Sequence, residues 1–276
     1  MGAAIAAIPE GDEGFPPDKL HEECGVFGVF ANNEKQNVVP LVYSGLLSLQ
    51  HRGQESAGIA LAKNSTIELR KGMGLVDEVF GHGDSEQIEG PAAIGHVRYS
   101  TAGSSSVENA QPFVNRFKQG AIAVAHNGTL TNADVVRELL EDAGVGFSSS
   151  SDSEVIVNLI AKNYKKGLER ALTDTIKFIK GSYALAVLTD SALIGARDPN
   201  GIRPLCLGKI KDGWILASES CAIDAVGGEF VRDIEPGEVI IISREQVLSF
   251  SFSEKTRRAV CSFEFVYFAR PDSVID

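Results

Sequence analysis

His21-Glu22-Glu23-Cys24-Gly25-Val26-Phe27-Gly28 is where the chain stops reading as a leader and starts reading as a packed domain. From Cys24 to Phe30 the residues are apolar or small, which is the pattern of a strand buried on both faces. Ahead of Cys24, the run Gly11-Asp12-Glu13-Gly14-Phe15-Pro16-Pro17-Asp18 is charged and rich in breakers, with nothing to bury. The short apolar run Ala3-Ala4-Ile5-Ala6-Ala7-Ile8 has no basic segment before it and is followed by Glu10, Asp12 and Glu13, so it does not read as a signal peptide.

Composition narrows the possibilities. A chain of 276 residues, 43% of them hydrophobic, can bury one large core without splitting. The net charge of -11, with no basic run, disfavours a polyanionic partner, so nucleic-acid binding is rejected as a main role. No apolar stretch approaches the roughly 18 residues of a membrane span. The cysteines Cys24, Cys206, Cys221 and Cys261 have no CxxC spacing and do not suggest a disulfide framework, so a reduced, cytoplasmic setting is expected.

Outward from Cys24, residues 37–50 carry apolar side chains near helical period, with Pro40 tolerated in the first turn and Gly53 as a stop. Short strands are predicted at 58–62, 67–71, 92–97 and 121–126, then helices at 132–142, 154–164 and 168–180. Ser151 with Glu154 has capping-box spacing for the second of these helices. Strands return at 183–188, 192–196, 214–218, 239–243, 247–252 and 260–268. Two blocks of strands around a set of helices, many apolar on both faces, imply sheets buried between layers, an α/β class of fold.

Several segments carry groups capable of chemistry. Cys24 alone reads as a small buried hydrophobe, or as a thiol whose ordinary pKa of roughly 8.5 needs lowering or a base before it attacks. Were the chain cut before Cys24, the new α-amine, with a pKa of about 8, would lie within one residue of that thiol. His126-Asn127-Gly128 ends a predicted strand, where Asn-Gly is a hairpin signal and also a place for an amide and a backbone N–H to converge. Arg98 follows a strand and Asp152 opens a helix. Such positions suit a surface ion pair and a helix-dipole contact as well as they suit the two charged ends of an amino acid.

Taken in order, the Cys24 segment, His51-Arg52-Gly53-Gln54, Gly95-His96-Val97-Arg98-Tyr99-Ser100-Thr101, His126-Asn127-Gly128 and Ser150-Ser151-Asp152-Ser153-Glu154 resemble the glutaminase domain of N-terminal-nucleophile amidotransferases. Three further segments are similar to the amidophosphoribosyltransferase family in particular: Arg197-Asp198-Pro199-Asn200-Gly201-Ile202-Arg203-Pro204-Leu205, Ser218-Glu219-Ser220-Cys221 and Phe265-Val266-Tyr267-Phe268-Ala269-Arg270-Pro271-Asp272-Ser273. The resemblance implies a four-layer α/β/β/α sandwich, with residues 1–23 as a removable propeptide, 24–260 as the glutaminase domain and 261–276 as the start of a connection. It makes Cys24 the nucleophile, and Asn127 and Gly128 the oxyanion residues. Arg98 and Asp152 become the glutamine-binding pair, Thr101 a further candidate, and Arg52 and Gly53 part of the pocket lining.

The resemblance also implies a second, phosphoribosyltransferase half. With it would come phosphoribosyl diphosphate as substrate, Mg2+, and in many members a [4Fe–4S] cluster and a homo-oligomer. Cys261 matches one cluster ligand, but a cluster takes four thiolates, so no cofactor is expected on this chain alone. The expected reaction is hydrolysis of glutamine to glutamate and ammonia. In the whole enzyme the ammonia would convert phosphoribosyl diphosphate to phosphoribosylamine for purine synthesis. The competing readings are the glutaminase domain of another amidotransferase and a non-catalytic interaction subunit.

Overall fold

The computed structural model describes residues 24–81, 88–99, 105–253 and 258–275. The 1–23 leader and Thr101 lie outside the described residues. Among the described residues, thirteen strands form two sheets, all of whose pairings are antiparallel. In chain order the strands are β1 Cys24–Ala31, β2 Ser56–Lys63, β3 Thr66–Met73, β4 Ala92–Arg98, β5 Phe113–Phe117, β6 Gly120–Leu130 and β7 Gly181–Leu188. They continue as β8 Ala192–Arg197, β9 Cys206–Ile210, β10 Gly213–Ala217, β11 Glu229–Asp233, β12 Glu238–Ser243 and β13 Val247–Ser251. One sheet runs β11-β9-β10-β1-β4-β2-β3 and the other β13-β12-β8-β7-β6-β5.

The sheets stack, and each is covered on its outer face by helices. Helices α1 Val39–Ser48, α2 Val76–Phe80 and α6 Ser220–Ala225 pack on the first sheet, burying Val42, Leu46, Phe80 and Ile223. Helices α3 Ala133–Asp142, α4 Asp152–Asn163 and α5 Leu168–Phe178 pack on the second, burying Val136, Ile156 and Leu172. The layer between the sheets is rich in alanine, with Ala60, Ala92, Ala123, Ala125, Ala184 and Ala186 among its members. The result is the α/β/β/α sandwich implied by the resemblance.

Strand alternation decides what faces this inner layer. On β1, Val26 and Phe30 point inward between the sheets, while Phe27 and Val29 point to the helices. Cys24 therefore shares the inward face with Val26. By the same parity His96 and Arg98 of β4, Ser56 of β2 and Asn127 of β6 also face inward.

The differences from the sequence reading have physical causes. The 260–268 segment is not a strand: Glu264–Phe268 forms a π-helical turn, and its buried residues, Glu264 and Phe268, are four apart as in a helix. Strand β6 does not end at His126 but runs through Asn127 and Gly128 to Leu130, paired with Ala184 and Tyr183, so Asn-Gly makes no hairpin turn here. Ser151 caps α4 as expected, through Ser153 N–H at 3.2 Å. The Glu154 carboxylate, however, turns away from the cap to take N–H and hydroxyl donors from Ser148 and Ser149. Strands β5, β9 and β11 and the short helices α2 and α6 have no counterpart in the sequence reading. Each has five or six residues, and β5 and β11 are polar-spiked edge strands without clean alternation.

Candidate active site

Cys24 opens β1, is 4% exposed, and lies directly opposite Arg98 of β4, which in turn lies opposite Ser56 of β2. Directly opposite residues in an antiparallel pair hold their Cβ atoms about 5 Å apart on one face. The thiol-bearing residue, a guanidinium and a hydroxyl thus stand side by side, facing into one end of the sandwich. Across that space β6 presents Asn127, fully buried, with neither Oδ1 nor Nδ2 hydrogen-bonded. A buried amide without protein partners costs about 1–3 kcal/mol, so stability is not the reason for an asparagine here.

The Asn127 backbone is firmly held. The carbonyl of His126 accepts from His96 Nε2 at 3.0 Å and Gln111 Nε2 at 3.2 Å, while His126 N–H donates to Gln111 Oε1 at 2.8 Å. At Gly128, φ is +144° and an added Cβ would lie 2.2 Å from the Ser182 carbonyl, so only glycine fits. Burial pushes the His96 imidazole down to about 3, with Arg98 and His126 adding to the effect. His96 therefore stays neutral and donates through Nε2.

Asp152 approaches from the first turn of α4. Its Oδ2 accepts Leu130 N–H at 2.8 Å, and Oδ1 sits 3.7 Å from His126 Nδ1. Burial opposes its ionisation, but His126, Leu130 N–H and Ser153 together hold its carboxyl below the usual range. Asp152 is thereby anchored to the end of the strand that carries Asn127. Arg98 has Glu55 Oε1 at 3.5 Å, longer than a well-formed charged hydrogen bond.

Arg52 and Gly53 lie against the Cys24–Arg98 strand pair. Arg52 is wholly buried, and its Nε donates to the Cys24 carbonyl at 3.0 Å, while its other nitrogens meet Glu219 at 2.7 Å and Glu264 at 2.9 Å. Its guanidinium is committed to the backbone of the nucleophile's strand and to two carboxylates. Gly53 is extended, with φ -162°, so it is not a left-handed cap. Glycine is required because an added Cβ would lie 2.6 Å from the Arg98 carbonyl carbon. Glu264 and Glu219 were missed as site residues. The signal for Glu264 was a single acid in an otherwise apolar run, Phe263 to Phe268.

The other cysteines are different in kind. Cys206 is fully buried, donates to the Ala217 carbonyl and has its thiol pushed well above the ordinary range by burial. Cys221 is pushed up to about 11, also by burial. Cys261 caps the π-helical turn through its carbonyl, at 3.1 Å from Glu264 N. Among the described residues no group of three or more His, Cys, Asp and Glu is placed to hold a metal.

A glutamine amidotransferase domain family matches residues 96–225. Amidophosphoribosyltransferase from Archaeoglobus fulgidus is 50% identical over 92% of this chain and 55% of its own length. The Bacillus subtilis amidophosphoribosyltransferase is 45% identical over 93% of this chain and 54% of its own. The chain carries a glutamine amidotransferase domain, similar to the matched half of the amidophosphoribosyltransferases. In structure, this amidotransferase domain superposes on the glutamine phosphoribosylpyrophosphate amidotransferase of B. subtilis, complexed with ADP and GMP, with a TM-score of 0.85 and 43% identity over 92% of this chain and 54% of that one. The fold is that of the N-terminal-nucleophile type. The domain spans about half the length of the curated relatives it matches. No helix among the described residues is long and apolar enough to cross a membrane.

Proposed function

We propose that the domain hydrolyses glutamine to glutamate and ammonia through a thioester on Cys24. The observation that carries this reading is the meeting of Cys24 and Arg98, neighbours across β1 and β4, with the unpartnered buried amide of Asn127 on the opposite sheet. Arg98 pairs the glutamine α-carboxylate and Asp152 the α-ammonium. The Cys24 sulfur attacks the side-chain carbonyl carbon as its thiol proton passes to the Cys24 α-amine, and Asn127 Nδ2 with Gly128 N–H hold the resulting oxyanion. Ammonia leaves with a proton from the α-amine of Cys24, and water then cleaves the thioester to release glutamate. That amine exists only once the peptide bond between Glu23 and Cys24 is cut, so removal of the leader and activity coincide.

In the whole enzyme the ammonia converts phosphoribosyl diphosphate to phosphoribosylamine, a reading supported by the names of the relatives. Cys261 would supply at most one of the four thiolates of an iron–sulfur cluster in that enzyme. A glutamine-like diazoketone tests the proposal. It labels Cys24 stoichiometrically in protein whose first residue is Cys24, and labelling of Cys206 or Cys221 in its place overturns the assignment.

A further inference from the structure

Four charged side chains are buried together behind the nucleophile: Arg52, Glu219 and Glu264 at 0% side-chain exposure and Arg203 at 7%. Two positive and two negative charges balance. Arg52 is the hub: Nη1 meets Glu219 Oε1 at 2.7 Å, and Nη2 meets both oxygens of Glu264 at 2.9 Å. That leaves Nε aimed at the Cys24 carbonyl at 3.0 Å. Arg203 reaches Glu264 Oε1 at 3.3 Å. Glu219 also takes His51 Nε2 at 2.8 Å, Arg270 N–H at 2.9 Å and Ser273 Oγ at 2.7 Å.

A buried ion cluster seldom stabilises a fold more than apolar residues of the same volume would, so its use here calls for a reason other than stability. The reason is geometric. A guanidinium is a rigid planar fork, and fixing its two ends on carboxylates from different elements fixes the third nitrogen as well. That third nitrogen holds the carbonyl of the residue whose thiol must attack. We infer that Glu264 is a positioning residue for Cys24, acting through Arg52. The segment 258–275, through Glu264 and the Glu219 contacts, thereby sets the attack geometry of a nucleophile some 240 residues earlier in sequence. The inference rests on the proposed glutaminase reading and adds to it the group that aims the thiol.

The test uses the full-length enzyme with its leader removed. Wild type, Glu264→Gln and Glu264→Asp are compared for glutamine hydrolysis, with turnover normalised to Cys24 titrated by the diazoketone. An amide at 264 leaves Glu219 as the one carboxylate still holding the Arg52 fork, so the fork turns and Nε leaves the Cys24 carbonyl. The expected result is a kcat per titrated site lower by about tenfold to a hundredfold, the scale of a misplacement of about 1 Å, with KM for glutamine within about twofold. Glu264→Asp keeps the charge and the fold, and should lose less of the same parameter. A merely structural role predicts fewer titratable sites with normal turnover at each; that result overturns the inference, as does a loss confined to KM. Wild type that neither labels nor turns over brings down the glutaminase reading itself. An active wild type matched by Glu264→Gln brings down only this inference.

Discussion

The layer between the two sheets is built differently in its middle and at its Cys24 end. In the middle, Ala123, Ala125, Ala184, Ala186, Leu216 and Ile240 meet with no polar atom among their side chains. At the end, on the same inner faces of the two sheets, stand Cys24, Ser56, His96, Arg98 and Asn127. Ser56 Oγ, His96 Nδ1 and both polar atoms of Asn127 are buried there without partners. Strand parity is the same in both regions, so the contrast comes entirely from residue choice. A fold tolerates such unsatisfied groups where binding energy can later be drawn from them, at a net cost to the empty protein.

The sharpest way to break the contrast is to remove the thiol. Cys24→Ala should abolish both glutamine hydrolysis and diazoketone labelling while leaving the melting temperature near that of wild type, because one small buried side chain replaces another. Retained hydrolysis would return Cys24 to the status of a core residue.

Next in size is Asn127. Losing an oxyanion donor costs on the order of 10²–10³ in kcat, so Asn127→Leu should show that loss. The same change removes an orphaned amide, so folding stability should hold or rise by about 1 kcal/mol. The reverse substitution in the middle of the layer, Ala186→Asn, should destabilise by about 2 kcal/mol or more, since it buries an amide where nothing is arranged to meet it. Chemical denaturation of both variants, beside steady-state kinetics of the first, checks the pair. Equal destabilisation would mean that the two regions do not differ in kind.

Much of this contrast was legible in the sequence, though unevenly. The long buried strands β1, β4, β6 and β7 and the three helices of the central block declared themselves by period and by apolar runs. Edge strands such as β5 and β11 did not, because a strand paired on one side keeps polar residues that blur alternation. Cys24, Arg98, Asn127 and Asp152 were singled out by resemblance; period alone left each with an ordinary structural role. Asn127-Gly128 was misplaced in a turn because a dipeptide preference cannot register the neighbouring strand, whose Ser182 carbonyl makes glycine obligatory inside β6. Arg52 was placed in the pocket lining by resemblance, while its partners Glu219 and Glu264 lie more than 160 residues away, a distance at which sequence carries no pairing signal.

The recognition pair should give smaller effects than the oxyanion donor. Charge-assisted pairs contribute roughly 1.5–3 kcal/mol, so Arg98→Ala and Asp152→Asn should each raise KM for glutamine by about tenfold to a hundredfold, with kcat less affected. Asp152→Asn should also loosen the end of β6, since Oδ2 holds Leu130 N–H. Steady-state kinetics separates the two roles: a kcat loss as large as that of Asn127→Leu would place Asp152 in the transition state and not in recognition.

The smallest effect is on acid stability, and it isolates the polar end from the apolar middle. His96 is fully buried, donates Nε2–H to the His126 carbonyl, and titrates near 3 when folded against an ordinary 6.5. Between those values the unfolded chain carries a proton on His96 that the folded chain refuses. The unfolded state therefore binds more protons, and stability falls as pH drops from about 6.5 towards 3. At pH 5 the loss attributable to this one group reaches up to about 2 kcal/mol. Glu219, held down to about 2 by His51 and Arg52 against the opposing effect of burial, loses its contribution only as pH falls from about 4.5, so pH 5 separates the two. His96→Gln keeps a donor for the His126 carbonyl and cannot titrate, so its denaturant midpoint should fall less between pH 7 and pH 5 than that of wild type. Parallel slopes for the two proteins would mean that His96 is protonated in the folded state, and the neutral Nε2–H donor holding the Asn127 backbone would have to be abandoned.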